Sequence, residues 1–257
     1  MSRPYVLTAP PFEITSGGVR VMYGLYGWLL AKGQVAFLNE RPATGDCIAI
    51  YPEIEVGNPA QASTVVRYIL NKPGVVPALL SDGSTRFGPT EFDPTDKLYY
   101  FSRLYGGTDE NTMFLPILNL HLFKDQKRKR TKTAYLIGKG MNYPLKFIHP
   151  KDSIEINREF AQDQQALADL LNECQVLYCY DPNTAMTEVA RLCGVRIIMI
   201  NPIYTKEEFS TYEPGMNGIS WGKDEEIELE TDLFRGHYIR MVKSFEKNLD
   251  KFIDATQ

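Results

Sequence analysis

Asp181, Thr184, Thr187 and Glu188 fall together in one segment, YDPNTAMTEVARLCGV, between two apolar runs. Asp181 suits a helix N-cap, with Pro182 at the first helical position. The free N–H groups of Thr184 and Ala185 would then face an anion such as a diphosphate, favoured also by the helix dipole. Thr184 and Thr187 add hydroxyl donors, and Glu188, about one turn further in, could accept bonds from sugar hydroxyls. The plainer alternative makes Asp181 a cap only and Glu188 a surface helix residue. Lys139, between Gly138 and Gly140, could reach a phosphate as a point charge, or could be an exposed turn lysine. Gly17-Gly18 would allow positive φ and let a ligand approach a helix start. Glu53, in the run YPEIEVGNP, could accept a proton from a sugar hydroxyl or orient it, or could be a solvated loop carboxylate. Asn58-Pro59 in the same run could cap a following helix.

These residues need elements to hold them, and the apolar pattern supplies strand–helix–strand units. Tyr5–Ala9 reads as a strand, and Val19–Ala31 as a helix with Val19, Met22, Leu25, Tyr26, Leu29 and Leu30 on one face. Val35–Leu38 and Cys47–Tyr51 read as strands, Gln61–Leu70 as a helix, and Val75–Leu80 and Lys97–Phe101 as further strands. After the basic stretch HLFKDQKRKRTK the alternation resumes. It runs through strands Thr133–Ile137 and Leu145–Ile148, helix Gln162–Asn172, strand Gln175–Tyr180, helix Thr184–Cys193 and strand Val195–Ile200. From Thr231 to Ile253 an amphipathic helix carries Phe234, Tyr238, Met241, Phe245, Leu249 and Phe252 on one stripe. The fold class is therefore α/β, with two Rossmann-like domains facing across a cleft and a C-terminal bracing helix. The expected division is 1–120, 121–228 and 229–257.

Composition narrows the function. The 257 residues are 44% hydrophobic and 23% charged, with a net charge of −4, so nothing global favours nucleic acid as a partner. Four cysteines without a Cys-x-x-Cys pair and only three histidines make a zinc site unexpected, and buried free thiols in a reducing compartment the better reading. The N-terminus lacks the apolar core of a signal peptide, and no run approaches the ~18 apolar residues of a membrane span, so the expected location is cytoplasmic. The basic run Lys124–Lys132 is either a solvated connection or a patch for an anionic acceptor or lipid headgroups, which would allow peripheral membrane association. No G-x-G-x-x-G spacing starts at Gly17, and the chain has no P-loop and no Asp-x-Asp. Dinucleotide chemistry, P-loop phosphoryl transfer and metal-held diphosphate chemistry are disfavoured accordingly.

The Gly-Gly loop, YPEIEVGNP, LNKPG at Leu70–Gly74, the Gly-Lys-Gly turn and YDPNTAMTEVARLCGV together resemble bacterial and viral glycosyltransferase-like proteins related to the GT-B fold, family 4 type. The resemblance covers residues 5–225. It implies two Rossmann-like domains, with a nucleotide-sugar mainly on the second. Glu188 looks like the family's ribose-contacting glutamate, Thr184–Thr187 like its diphosphate-binding helix start, Lys139 like its phosphate-facing basic residue, and Gly17-Gly18 like its donor-closing loop. Tyr180 stands where the first glutamate of the family's Glu-x7-Glu pair falls, and Asp181 is the nearest carboxylate. The resemblance implies metal-independent, retaining transfer of a sugar from a nucleotide-diphosphate donor to a glycan, lipid-linked or protein acceptor. The alternative is a nucleotide- or sugar-binding module of a glycan-assembly complex that performs no transfer.

Overall fold

The computed structural model describes residues 2–40, 46–75, 77–79, 85–223, 225 and 228–257. The chain is α/β and divides into two compact units. One comprises Met1–Ile117 with Met241–Gln257, and the other Leu118–Arg240.

The first unit is built on a parallel sheet of β1 (Tyr5–Leu7), β2 (Ala36–Leu38), β3 (Ile48–Pro52), β4 (Thr64–Ile69) and, after the antiparallel hairpin of β5 (Pro77–Leu79) and β6 (Thr85–Phe87), β7 (Lys97–Tyr100). Their order is β2-β1-β3-β4-β7. Helix α1 (Gly17–Ala31) links β1 to β2, with Ser16 accepting the Val19 N–H at its start. It buries Val19, Val21, Met22, Leu25 and Leu29. Leu30, expected on that face, is 45% exposed.

Gln61–Leu70 is not a helix. Its β-branched and aromatic run Thr-Val-Val-Arg-Tyr-Ile forms β4, where such side chains pack well on a pleated surface. Asn58 accordingly caps no helix. It closes the loop before β4, accepting the Ala62 N–H (3.0 Å) and donating to the Ala62 carbonyl (2.8 Å). Val76 and Leu80, within the strand expected at Val75–Leu80, lie outside the described residues.

A buried arginine locks the same loop to the sheet. Arg67 Nε donates to Asp96 (2.6 Å), Nη1 to the Glu55 carbonyl (3.0 Å) and Nη2 to the Gly57 carbonyl (2.5 Å), with the guanidinium 5.1 Å from the Tyr51 ring centre. Both charged side chains are only 4% exposed.

The second unit repeats the plan with β8 (Lys132–Leu136), β9 (Ile154–Glu155), β10 (Cys174–Cys179), β11 (Arg196–Met199) and β12 (Ile219–Trp221). All pairings are parallel, in the order β12-β11-β10-β8-β9. Numbered within their own unit, both sheets run second, first, third, fourth, fifth. Helix α2 (Gln164–Glu173) leads into β10, α3 (Met186–Leu192) joins β10 to β11, and the single turn α4 (Lys206–Phe209) follows β11.

Leu145–Ile148 is not a strand. Pro144 and Pro150 flank it, and the N–H groups of Ile148 and His149 go to the Tyr180 hydroxyl rather than to a neighbouring strand. The basic run ties this unit together. Arg130 donates to the carbonyls of Leu171 (3.1 Å), Cys174 (2.9 Å) and Cys193 (2.6 Å) and to Asp125 (2.7 Å), while Arg128 pairs with Asp169 and Lys132 with Glu173.

Helix α5 (Thr231–Thr256) belongs to both units. Phe245, Leu249 and Phe252 complete the first unit's core with Tyr5, Leu25 and Val66. In the second unit Phe234 lies under the Arg191 guanidinium at 4.1 Å. Among the described residues no helix is long and apolar enough to cross a membrane.

Replacing Arg67 by Ala leaves Asp96 as an uncompensated buried charge. Chemical denaturation should show a loss of about 3–5 kcal/mol in the transition of the first unit. A loss below about 1 kcal/mol would mean that the pair carries no such weight.

Candidate functional site

In each sheet the connections leave the first strand toward one edge and later cross to the other. This puts a topological switch point between β1 and β3, and another between β8 and β10. Ligands of open α/β sheets bind outside the carboxyl ends of strands at such points. The candidate residues occupy both places.

In the second unit the Gly138–Asn142 turn leaves β8 and lies against the end of β10. Gly138 has φ +50°, and a Cβ there would sit 2.1 Å from Asp181 Oδ2. One at Gly140 would sit 2.2 Å from the Tyr180 carbonyl oxygen. The two glycines therefore let this turn touch residues 180–181. Between them, Lys139 donates its backbone N–H to Asp181 Oδ2 (2.9 Å), and its ammonium lies 3.0 Å from Asp181 Oδ1. The lysine side chain is 32% exposed and that of Asp181 6%. Lys139 is thus a half-open cation held at the switch point by a buried carboxylate, not a free turn lysine.

Asp181 is not the helix cap. It accepts the Asn183 N–H (3.0 Å) in a local turn, and α3 starts later, at Met186, with Ala185 at the N-cap and no side-chain cap bond there. Thr184 organises this start: its hydroxyl accepts the Met186 N–H (3.2 Å) and its carbonyl the Thr187 N–H (3.2 Å). Thr184 and Ala185 are half-buried, whereas Thr187 and Glu188 turn inward. Glu188 is 2% exposed, accepting from the Tyr212 hydroxyl at 2.6 Å and from the Thr187 hydroxyl at 3.2 Å. Burial pushes its carboxyl above the ordinary range, against the pull of Arg191 and of these two hydroxyls. Arg191 is fully buried and donates to the carbonyls of Gly215 (2.8 Å) and Asn217 (3.0 Å). Glu188 is therefore part of an internal network that fastens α3 to the loop before β12. It is not a surface helix residue.

In the first unit, Gly17 and Gly18 are the first two residues of α1, and neither has a positive φ. They provide space rather than an unusual turn. A Cβ at Gly17 meets nothing within 4 Å, and one at Gly18 meets only the Leu70 side chain, at 3.5 Å. Glu53 follows β3 and reaches the same residue, accepting the Leu70 N–H at 2.9 Å. It is 4% exposed rather than solvated. Burial pushes its carboxyl up to about 7, opposed by backbone N–H groups.

Some residues at these corners carry no sequence signature. His149 stacks on Tyr135 (ring centres 3.9 Å apart, planes 6° apart) with its Nδ1 2.9 Å from the Tyr180 hydroxyl, and Phe147 packs edge-on to Tyr180 at 5.1 Å. The only hint is the alternation Tyr178-x-Tyr180, with Tyr178 in register with Tyr135 on β8. At the ends of β11 and β12, an open cavity of about 720 Å³ is lined by Tyr204, Thr205, Lys206, Glu207, Trp221 and Glu225. Among the described residues no cluster of three or more His, Cys, Asp or Glu side chains is placed to hold a metal.

No protein-family model matches the chain, and no curated protein matches it.

Glu53 gives a pH dependence of known sign. Its folded-state pKa of about 7 lies above the ordinary 4.5, so the folded protein binds the proton more tightly than the unfolded chain. The stability this confers is fully present below about pH 4.5 and is lost as pH rises through about 7. The change amounts to about 3 kcal/mol. Glu53→Gln should remove this dependence, so the stability of wild type relative to the variant should fall by that order between pH 4.5 and pH 8 in urea titrations. A difference that stays constant with pH would refute the assignment.

Proposed function

We propose that the protein is a glycosyltransferase that takes a nucleotide-diphosphate sugar on its second unit. The observation that carries this reading is the corner where Lys139 meets Asp181, three residues ahead of Thr184, at the strand ends flanking the β8–β10 switch point. The resemblance of the same segments to GT-B proteins of family 4 type adds to it, as does the twin-sheet plan. A diphosphate brings more negative charge than the single Asp181 carboxylate and would draw the half-exposed Lys139 ammonium toward itself. Lys139 and the backbone N–H groups near Thr184 would then stabilise charge on the leaving diphosphate. In the transfer, the bond between anomeric carbon and phosphate oxygen breaks, and the diphosphate leaves with the electron pair. An acceptor hydroxyl of a glycan, lipid-linked sugar or protein forms the new bond and gives up its proton to the leaving group. No metal is required by this scheme, and retention follows from the resemblance.

The inward commitment of Glu188 to Tyr212 and Thr187 favours a second reading. With that carboxylate turned away from a ribose, the protein would bind the nucleotide-sugar as a module of a glycan-assembly complex without turning it over.

A panel of UDP-, GDP-, ADP- and dTDP-sugars separates these readings. At least one should raise the melting temperature of purified protein and release its nucleoside diphosphate, and Lys139→Ala should weaken its binding about 10- to 100-fold, the value of one charged hydrogen bond. A thermal shift without release in the presence of candidate acceptors selects the binding module. The absence of any shift with the whole panel rejects both.

A further inference from the structure

The aromatic cluster beside the Lys139–Asp181 corner points to a recognition element that the phosphate-binding groups do not account for. Tyr135, Tyr178 and Tyr180 lie on one face of β8 and the end of β10, since Tyr135 pairs in register with Tyr178 and Tyr180 lies two residues on. Tyr180 immediately precedes Asp181, and the turn carrying Lys139 touches its carbonyl through Gly140. The cluster and the ion pair thus share one strand end.

The hydrogen bonds fix the orientation of His149. The Tyr180 hydroxyl accepts the N–H groups of Ile148 (2.8 Å) and His149 (3.2 Å), which occupies its lone pairs. Its own proton therefore goes to His149 Nδ1, 2.9 Å away, which leaves the ring hydrogen on Nε2. Nδ1 faces the fully buried Tyr180, so Nε2 lies on the opposite edge of a half-buried ring. No partner occupies Nε2 among the described residues. Stacking on Tyr135 holds the ring plane. Next to it Phe147, held by contacts to Tyr180 (5.1 Å) and His149 (5.6 Å), leaves 54% of its surface exposed. The result is an exposed aromatic face beside an oriented N–H donor. That combination fits a flat ring with acceptor atoms in its own plane, as a nucleobase has.

We propose that Phe147 and His149 form the nucleobase subsite of the second unit, Phe147 as the stacking face and His149 Nε2–H as a donor to an acceptor on the edge of the base. This rests on the nucleotide-diphosphate reading above and names which part of the donor is recognised here. Stacking of a base on an aromatic side chain is commonly worth a factor of about 5 to 150 in affinity.

Calorimetric titration of nucleoside diphosphates and of inorganic pyrophosphate into wild type, Phe147→Ala and Phe147→Tyr tests it, with saturation-transfer NMR on the bound nucleotide. The exposed position of Phe147 keeps the variants folded, which thermal melts check. Expected are a loss of about tenfold or more for the nucleoside diphosphate in Phe147→Ala and retained affinity in Phe147→Tyr. Pyrophosphate affinity should stay unchanged, and the strongest saturation should fall on base protons. If wild type binds a nucleoside diphosphate but Phe147→Ala binds it equally well, or the saturation falls on ribose protons, the subsite is overturned while the nucleotide reading stands. If wild type binds none of the nucleoside diphosphates, both fall.

Discussion

The candidate corner of the second unit depends on how closely two stretches of backbone approach one another. Residues 138–140 lie against Tyr180 and Asp181 at a separation that leaves no room for a Cβ at Gly138 or Gly140. That contact sets Lys139 on Asp181 and brings the end of β8 to the end of β10 where the sheet order turns. A side chain at either glycine would have to push the turn away, and the ion pair would open with it. Much of the chemistry assigned to this corner is thus held by the absence of side-chain atoms.

Burial sorts the acidic residues into different roles. Asp181 is nearly buried but meets a half-exposed cation, so its charge is paired at the rim of the fold. Glu53 and Glu188 are drawn inside by different means. Glu53 meets backbone N–H groups, and burial favours its protonated form. Glu188 meets Tyr212, Thr187 and the nearby Arg191, so its interior position serves the internal structure of the second unit. Buried ionisable groups are costly unless they are bonded, and both glutamates obey that rule.

The strand–helix–strand pattern was readable where apolar periodicity and stop signals agreed. β1–α1–β2 and β10–α3–β11 appear close to where the sequence places them, and Gly194, at φ +81°, ends α3 as a C-terminal stop. The pattern failed at β4, where Gln61, Ala62 and Ser63 blurred the start of a run whose β-branched residues outweighed any helical spacing. It failed again at Leu145–Ile148, because the Ile148 N–H goes to a hydroxyl 32 residues away. Site residue types were legible, but their orientations were not. Nothing local in the sequence tells that Glu188 faces Tyr212, or that His149 is held by Tyr180, since both pairings exist only after the strands have taken their order.

The double membership of α5 has a consequence for the order in which the molecule can be completed. The second unit is one uninterrupted stretch, Leu118–Arg240, whereas the first is finished only by Met241–Gln257. As the chain leaves the ribosome, the first sheet emerges early but lacks Phe245, Leu249 and Phe252 against Tyr5, Leu25 and Val66. Its apolar face must wait while the whole second unit is made. The part synthesised first is therefore the last to close its core, and its apolar surface stays uncovered during that interval.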